Sequence, residues 1–310
     1  MKYPALVVLL SLALVGCGTS PEKLAPARPE AGSPAKGPFN TTPVDTGFNH
    51  YWFQGQAEIA VYEVQQDRYD SIRPAQEVMV FVTEDFSERK QVKLDAPEQA
   101  GADRVPVLKL NAIRRFHTGI YDYSLMQSVF TPLDAARHPF TLKTSTTVQD
   151  WCGQVFAQMN LRDKNYQARN FSYFENEGDV EQTLPAAALE DELWLRIRLN
   201  PAGIQPGRTD LIPSAWYARL RHQPQKAEPA ELSTESGPAE SVLQVRYLQI
   251  PRSVRIRYAT TFPHRILGWE ERDGDRVSSQ GSLRQAFQSP YWMQHNPEHD
   301  KLREALQLNF

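Results

Sequence analysis

Three consecutive stretches near the end of the chain constrain its fold most. SVLQVRYLQI (241–250), SVRIRYATTF (253–262) and HRILGWEER (264–272) are rich in β-branched and aromatic residues, and only Pro251-Arg252 and Pro263 separate them. Connections this short leave no room for a crossover helix, so these strands must form an antiparallel meander. The same signal recurs upstream. AEIAVYEV (57–64) sets Ile59 and Val61 on one parity and Ala60, Tyr62 and Val64 on the other, and EVMVFVT (77–83) reads as a buried strand. The QQDRYDSIRPAQ between them reads as a long polar hairpin connection. VPVLKLN (105–111), TGIYDYSLMQSVFTPL (118–133, one bent strand or two short ones) and HPFTLKTST (138–146) continue the pattern.

Two helices are expected. In LPAAALEDELWLRIRLNP (184–201), Leu189, Leu193, Trp194 and Ile197 share a face, and Glu190, Asp191 and Glu192 precede Arg196 and Arg198 in the sense the helix dipole favours. Pro201 stops it. Near the C-terminus Asn296 can cap, Pro297 suits the first helical position, and Leu302, Ala305 and Leu306 form one face. TVQDWCGQVFAQMN (147–160) fits two elements. Val148, Trp151, Cys152, Val155, Phe156 and Met159 make a helical stripe behind a Thr147/Asp150 capping box. The alternative is a hairpin pairing Gln154–Leu161 with Tyr166–Tyr173 around NLRDKN, and the β character of the flanking sequence favours it. The expected class is mainly β with a few helices (α+β), built on a curved antiparallel sheet that could form an open or half barrel.

The N-terminus, MKYPALVVLLSLALVGCGTS, has a basic residue, Lys2, ahead of an apolar run too short to span a bilayer and of the length of a signal-peptide core. It ends in Leu14-Val15-Gly16-Cys17, which resembles the lipobox of bacterial lipoproteins. That resemblance implies a signal peptide over 1–16, acylation of Cys17 and a membrane anchor. Gly18, in place of the Asp that retains such proteins at the inner membrane, implies an outer-membrane address with a periplasmic domain. Loss of Lys2 leaves 33 basic against 37 acidic residues, a formal charge of −4. This balance gives no footprint for nucleic acid and no polybasic lipid patch. Residues 18–47 carry prolines at 21, 26, 29, 34, 38 and 43 and read as an unpacked tether behind Cys17, with a reach of about 30 Å. Residues 48–310 then read as a single β-rich domain, in which the Pro-containing QPQKAEPAELSTESGPAE (223–240) is an exposed polar loop.

Candidate chemistry is sparse. With Cys17 acylated, Cys152 is the one free thiol, and a catalytic role would need a His and an oxyanion donor brought to it. His295-Asn296-Pro297-Glu298-His299 matches an inverted zinc motif, but Pro297 breaks the helix that motif requires. Glu84-Asp85 and Glu270-Glu271 lack calcium-loop spacing, and His50, His117, His138, His222 and His264 are scattered. No metal site, cofactor motif or nucleotide loop is expected. The aromatic load is more informative: Tyr121, Tyr123, Trp151, Phe156 and Tyr173 fall on strand segments and could line a concave apolar pocket.

YWFQGQAEIAVYEV, VMVFVTEDF, PVLKLN, TGIYDYSLMQSVFTP and VQDWCGQVFAQMN together resemble a family of uncharacterised bacterial lipoproteins, some of whose members carry the label "septum formation inhibitor Maf". True Maf proteins are cytoplasmic nucleotide pyrophosphatases with an N-terminal Ser/Arg-rich phosphate motif. This chain has the lipobox and tether there, so the resemblance implies no such activity. The exported β-rich architecture also looks broadly like outer-membrane lipoprotein carriers, which are half barrels that hold acyl chains. The function expected is a non-catalytic binding module for lipid, lipoprotein or another envelope component. The alternatives are an envelope scaffold for protein partners and a thiol enzyme using Cys152.

Overall fold

The computed structural model describes residue 37 and residues 39–308; the apolar N-terminus, Cys17 and most of the Pro-rich stretch lie outside the described residues. Sixteen strands among them form one large open sheet. In chain order they are β1 (Ala57–Arg68), β2 (Ser71–Ser87), β3 (Val92–Lys93), β4 (Arg104–Thr118), β5 (Tyr121–Pro132), β6 (Lys143–Asp150), β7 (Gly153–Arg162), β8 (Asn165–Ser172), β9 (Val180–Pro185), β10 (Ala188–Leu189), β11 (Gly207–Ile212), β12 (Glu228–Ser236), β13 (Glu240–Tyr247), β14 (Arg252–Ala259), β15 (Ile266–Asp273) and β16 (Arg276–Ser289). The spatial order runs from β10 through β16, then β1, β2 and β4 to β9, with β3 paired to β2. Short helices accompany the sheet: α1 (Phe48–Trp52), α2 (Leu193–Leu199), α3 (Ala215–Leu220) and α4 (Asp300–Ala305).

The two ends of this sheet, β9 and β10, are separated in the chain only by Ala186 and Ala187. The sheet must therefore curl until its end strands lie near each other. No described ladder joins them, so a seam remains, with Met159, Tyr166 and Ala168 on one side packed against Leu189 and Ile212 on the other. The one parallel pair, β10 with β11, requires a crossover, and α2 provides it. That crossover runs through the interior. Leu193, Leu195, Ile197 and Leu199 join the main core with Tyr62, Met79, Leu108, Leu243 and Ile256, which come from strands all round the sheet. On the opposite face of β1 and β2, Ile59, Val61, Val78 and Val80 pack with Phe287 and Leu308. Both faces of these two strands are thus covered in their central part, which explains their near-continuous apolar sequence.

The meander is as expected, with β13, β14 and β15 paired antiparallel in sequence. TVQDWCGQVFAQMN is a strand hairpin: β6 and β7 pair around Trp151-Cys152, and β7 pairs with β8 from Val155↔Ser172 to Arg162↔Asn165. Several expectations are corrected. The polar stretch 65–76 is no loop: β1 and β2 run on through it to a two-residue turn in which Tyr69 and Asp70 both have positive φ, 53° and 58°. That turn geometry favours Asn-Gly, so Tyr-Asp gives no sequence warning of it. The 223–240 segment holds β12, with Ala230 and Leu232 buried. The helix expected over 184–201 is confined to Leu193–Leu199, because β9, β10 and a 3-10 turn at Glu190–Glu192 occupy its first half. Its acidic and basic residues do not flank a solvated helix; Glu192, Arg196 and Arg198 are fully buried. Packing also begins inside the Pro-rich stretch, where Phe39 and Thr41 are buried and Phe39 bridges to Ile204.

Candidate functional site

A cavity of about 240 Å³ lies at the seam, between the inner face of β6, β7 and β8 and the helix α3. α3 begins at Ser214, whose Oγ accepts from the Trp216 N–H (3.3 Å). Its start is held from below by Asp191, whose Oδ2 accepts from the Ala215 N–H at 3.2 Å. Small residues create the space: Ala157, Ala168, Ala215 and Ala218 line it beside Val148 and Val155. Ala157 lies between Val155 and Met159 on the inner parity of β7, yet those two are buried while Ala157 is only half-buried. The core stops at this point and a void takes its place.

Arg219, on α3, lines this cavity and is 7 % exposed. Its guanidinium stands 4.1 Å from the centre of the Phe174 ring, which orients it. Neither Nε nor Nη1 has a hydrogen-bond partner among the described residues. The nearest carboxylate, Glu177, is 3.8 Å from Nη1, beyond hydrogen-bond range. Glu177 is committed elsewhere: its Oε1 meets His222 Nδ1 at 2.5 Å and its Oε2 accepts from the Ser172 hydroxyl at 2.6 Å. Burial pulls the Arg219 pKa below the ordinary guanidinium value, against the opposing pull of Glu177. A buried cation with unmet donors is costly unless something supplies acceptors.

Most other buried charges are paired. Glu58 accepts from Arg198 Nη1 and Nη2 at 2.6 and 2.7 Å, and both side chains are fully buried. Arg252 joins Glu190 to Glu271 (2.8 Å to the latter), and Arg114 binds Glu77 at 2.6 Å under the rings of Trp216 and Trp269. The acidic pairs noted in the sequence are engaged in the same way: Glu84 with Lys109 (3.0 Å), Asp85 with Arg104 (2.7 Å), Glu270 with Arg272 (2.7 Å) and Glu271 with Arg252. Asp191 has no basic partner among the described residues. Burial, then the neighbouring Glu190 carboxylate, push its pKa up to about 7. Among the described residues no group of three or more His, Cys, Asp or Glu could hold a metal ion, and no helix is long and apolar enough to cross a membrane.

The five aromatics singled out in the sequence do not line the seam cavity. Tyr121, Tyr123 and Trp151 gather at one end of the sheet, with ring centres 5.8 and 6.5 Å apart; Tyr123 is buried on Phe116 and Trp151 is exposed. Phe156 stacks on Phe171, and Tyr173 lies exposed, with its side chain against Gly153. Tyr123 and Trp151 border a wider, open groove of about 1220 Å³ whose other walls include Glu63, Gln65, Gln280 and Arg284, with Glu63 and Arg284 paired at 2.8 Å. Arg219 and Glu177 gave no signal in the sequence. Ser214 ahead of AWYARL is a readable helix start, but nothing local shows that the arginine points inward.

Cys152 is exposed in the β6–β7 turn, where its N–H donates to Asp150 Oδ1 at 2.7 Å. Its thiol has no hydrogen-bond partner among the described residues. In the full chain carrying Cys17→Ser, iodoacetamide is expected to label Cys152 as completely in the native state as in urea. Protection in the native state would contradict the exposed turn.

Comparison with protein families, with curated proteins and with solved structures finds no match.

Proposed function

We propose that the chain is a lipid-anchored envelope protein whose folded part is a non-catalytic binding module for an acyl-bearing component, a lipid or a lipoprotein. The observation that carries this reading is the seam cavity, whose wall includes Ala157, Ala168, Ala215, Ala218, Val148, Val155 and Val180 beside polar side chains, and which sits where the sheet fails to close and is covered by a short helix. On this reading the curled sheet works as a half barrel around α2, with α3 as its cover. A volume of about 240 Å³ is just under the usual range for drug-sized ligands and suits one acyl chain of moderate length. The anchor rests on the Leu14–Cys17 pattern, and the outer-membrane, periplasm-facing address on Gly18 behind it.

Titration of the full chain carrying Cys17→Ser with a neutral, environment-sensitive acyl probe tests the binding reading. Saturable binding at one site is expected. Ala157→Phe fills the void from a half-buried position and should abolish that binding while leaving the melting temperature unchanged or raised. Unsaturable binding, or binding indifferent to Ala157→Phe, would sink the reading. The anchor is tested separately by metabolic labelling with palmitate, which Cys17→Ala must eliminate.

A second reading, an envelope scaffold, is favoured by the wide groove beside Trp151. Its mixed polar walls suit a protein surface better than an acyl chain. Crosslinking from a photoreactive group at Trp151 to a defined partner would favour it.

A further inference from the structure

We infer that Arg219 is an anion anchor inside the seam cavity and that the ligand is an acyl chain ending in a carboxylate. The inference rests on the binding reading above and specifies the ligand's chemical class. Three observations lead to it. The Arg219 side chain is more than nine-tenths buried and lines the void, and its Nε and Nη1 have no acceptor. Among the described residues the only carboxylate paired with it, Glu177, stands off at 3.8 Å and spends its oxygens on His222 and Ser172. Part of the cavity wall is apolar, with Ala215, Ala218, Val155 and Ala168 among its members, and part is polar, with Thr146, Asn170 and Gln182 among its members.

A purely apolar ligand would leave the two donors unmet and would remove whatever water reaches them. A purely polar ligand would strand the alanine and valine wall. A carboxylate on a short alkyl chain satisfies both, since an ionised acceptor makes the stronger class of hydrogen bond to a guanidinium. The Phe174 ring, 4.1 Å from the guanidinium carbon, restricts the rotamers of Arg219. Glu177 sets a limit on the same site. Its own charge is held by His222 and Ser172, so the entering anion replaces no existing hydrogen bond of Arg219.

The test compares octanoate with octan-1-ol, which has the same chain and no charge, by calorimetry on the full chain carrying Cys17→Ser. Octanoate is expected to bind about ten-fold or more tightly than the alcohol. Arg219→Met, nearly isosteric and uncharged, should remove the preference, so that the variant binds octanoate no more tightly than it binds the alcohol. Arg219→Lys should keep part of the preference. Equal affinities in the parent chain would overturn the anion anchor while leaving the acyl-binding reading intact. A preference that survives Arg219→Met would also overturn it. Binding of neither ligand would remove both. If Arg219→Met fails to fold, the acid–alcohol comparison in the parent chain and in Arg219→Lys still decides.

Discussion

Arg198→Met lowers the stability of the protein by about 3–5 kcal/mol in urea denaturation, one of the two largest effects expected of single substitutions here. The cause is the group left behind. Glu58 is fully buried and takes two hydrogen bonds from Arg198, at 2.6 and 2.7 Å. That neighbour, more than any other, holds its carboxyl below the ordinary range against the upward push of burial. Without Arg198, Glu58 must remain as an unpaired buried charge or take up a proton. Arg265, at 3.7 Å, and the Tyr51 hydroxyl are too weak to replace a bidentate guanidinium. The double change Glu58→Leu with Arg198→Met should recover most of the loss, because a buried ion pair and a well-packed apolar pair of similar volume are nearly equivalent in stability. A double variant as unstable as Arg198→Met alone would show that Arg198 acts mainly through its stack on Trp52 and Phe81 and its bond to the Pro263 carbonyl, not through the charge pair.

Asp191→Asn changes how stability depends on pH. The folded-state pKa of Asp191 is raised from the ordinary 3.8 to about 7, chiefly by burial and then by Glu190. A raised carboxyl pKa favours the folded state only while the group is protonated. Its contribution is complete below about pH 4 and is lost as pH rises through about 7. Relative to the parent, Asp191→Asn should therefore gain stability with rising pH, by about 3 kcal/mol between about pH 5 and about pH 8. Other groups in this range, His138 and His264 with lowered pKa values, shift both proteins alike and cancel in the comparison. A constant difference between the two proteins across that range would mean that Asp191 is ionised throughout. The carboxyl also accepts from the first N–H of α3, so the same titration bears on how firmly the cover of the seam cavity is held.

The strand content was legible because the pleat makes its own record. Alternation over 57–64, the buried run at 77–83 and the prolines at 251 and 263 are each signals contained in a few residues, and each corresponds to a real strand or junction. Short apolar stretches carry that record even when two periods compete, as at 147–160, where the strand reading agrees with the strands on either side. The polar half of the β1–β2 hairpin was not legible, because Tyr69 and Asp70 adopt a turn conformation their side chains do not advertise. The short strand β12 was hidden for a related reason. Its alternate residues Glu231, Ser233 and Glu235 pair across to Arg246, Gln244 and Val242, and a polar strand of this kind has the composition of a loop.

The site was not legible at all, and the reason is geometric. Closing the ends of the sheet to within two residues at Ala186-Ala187 is a property of the whole strand order, which no local window contains. Only that curl carries α2 inward and turns Glu192, Arg196 and Arg198 from an apparent solvated helix into ties across the core. Only the failure of the curl to complete leaves a void beside Ala157 and turns Arg219 into it. Local sequence thus determined that the chain is mostly strand, where most strands lie and which residues alternate, since backbone pleat and turn chemistry act over a few residues. The tertiary structure decided which charges are buried, which are paired and which are left short of acceptors, since those depend on residues far apart in the chain, such as Glu58 and Arg198, meeting in space.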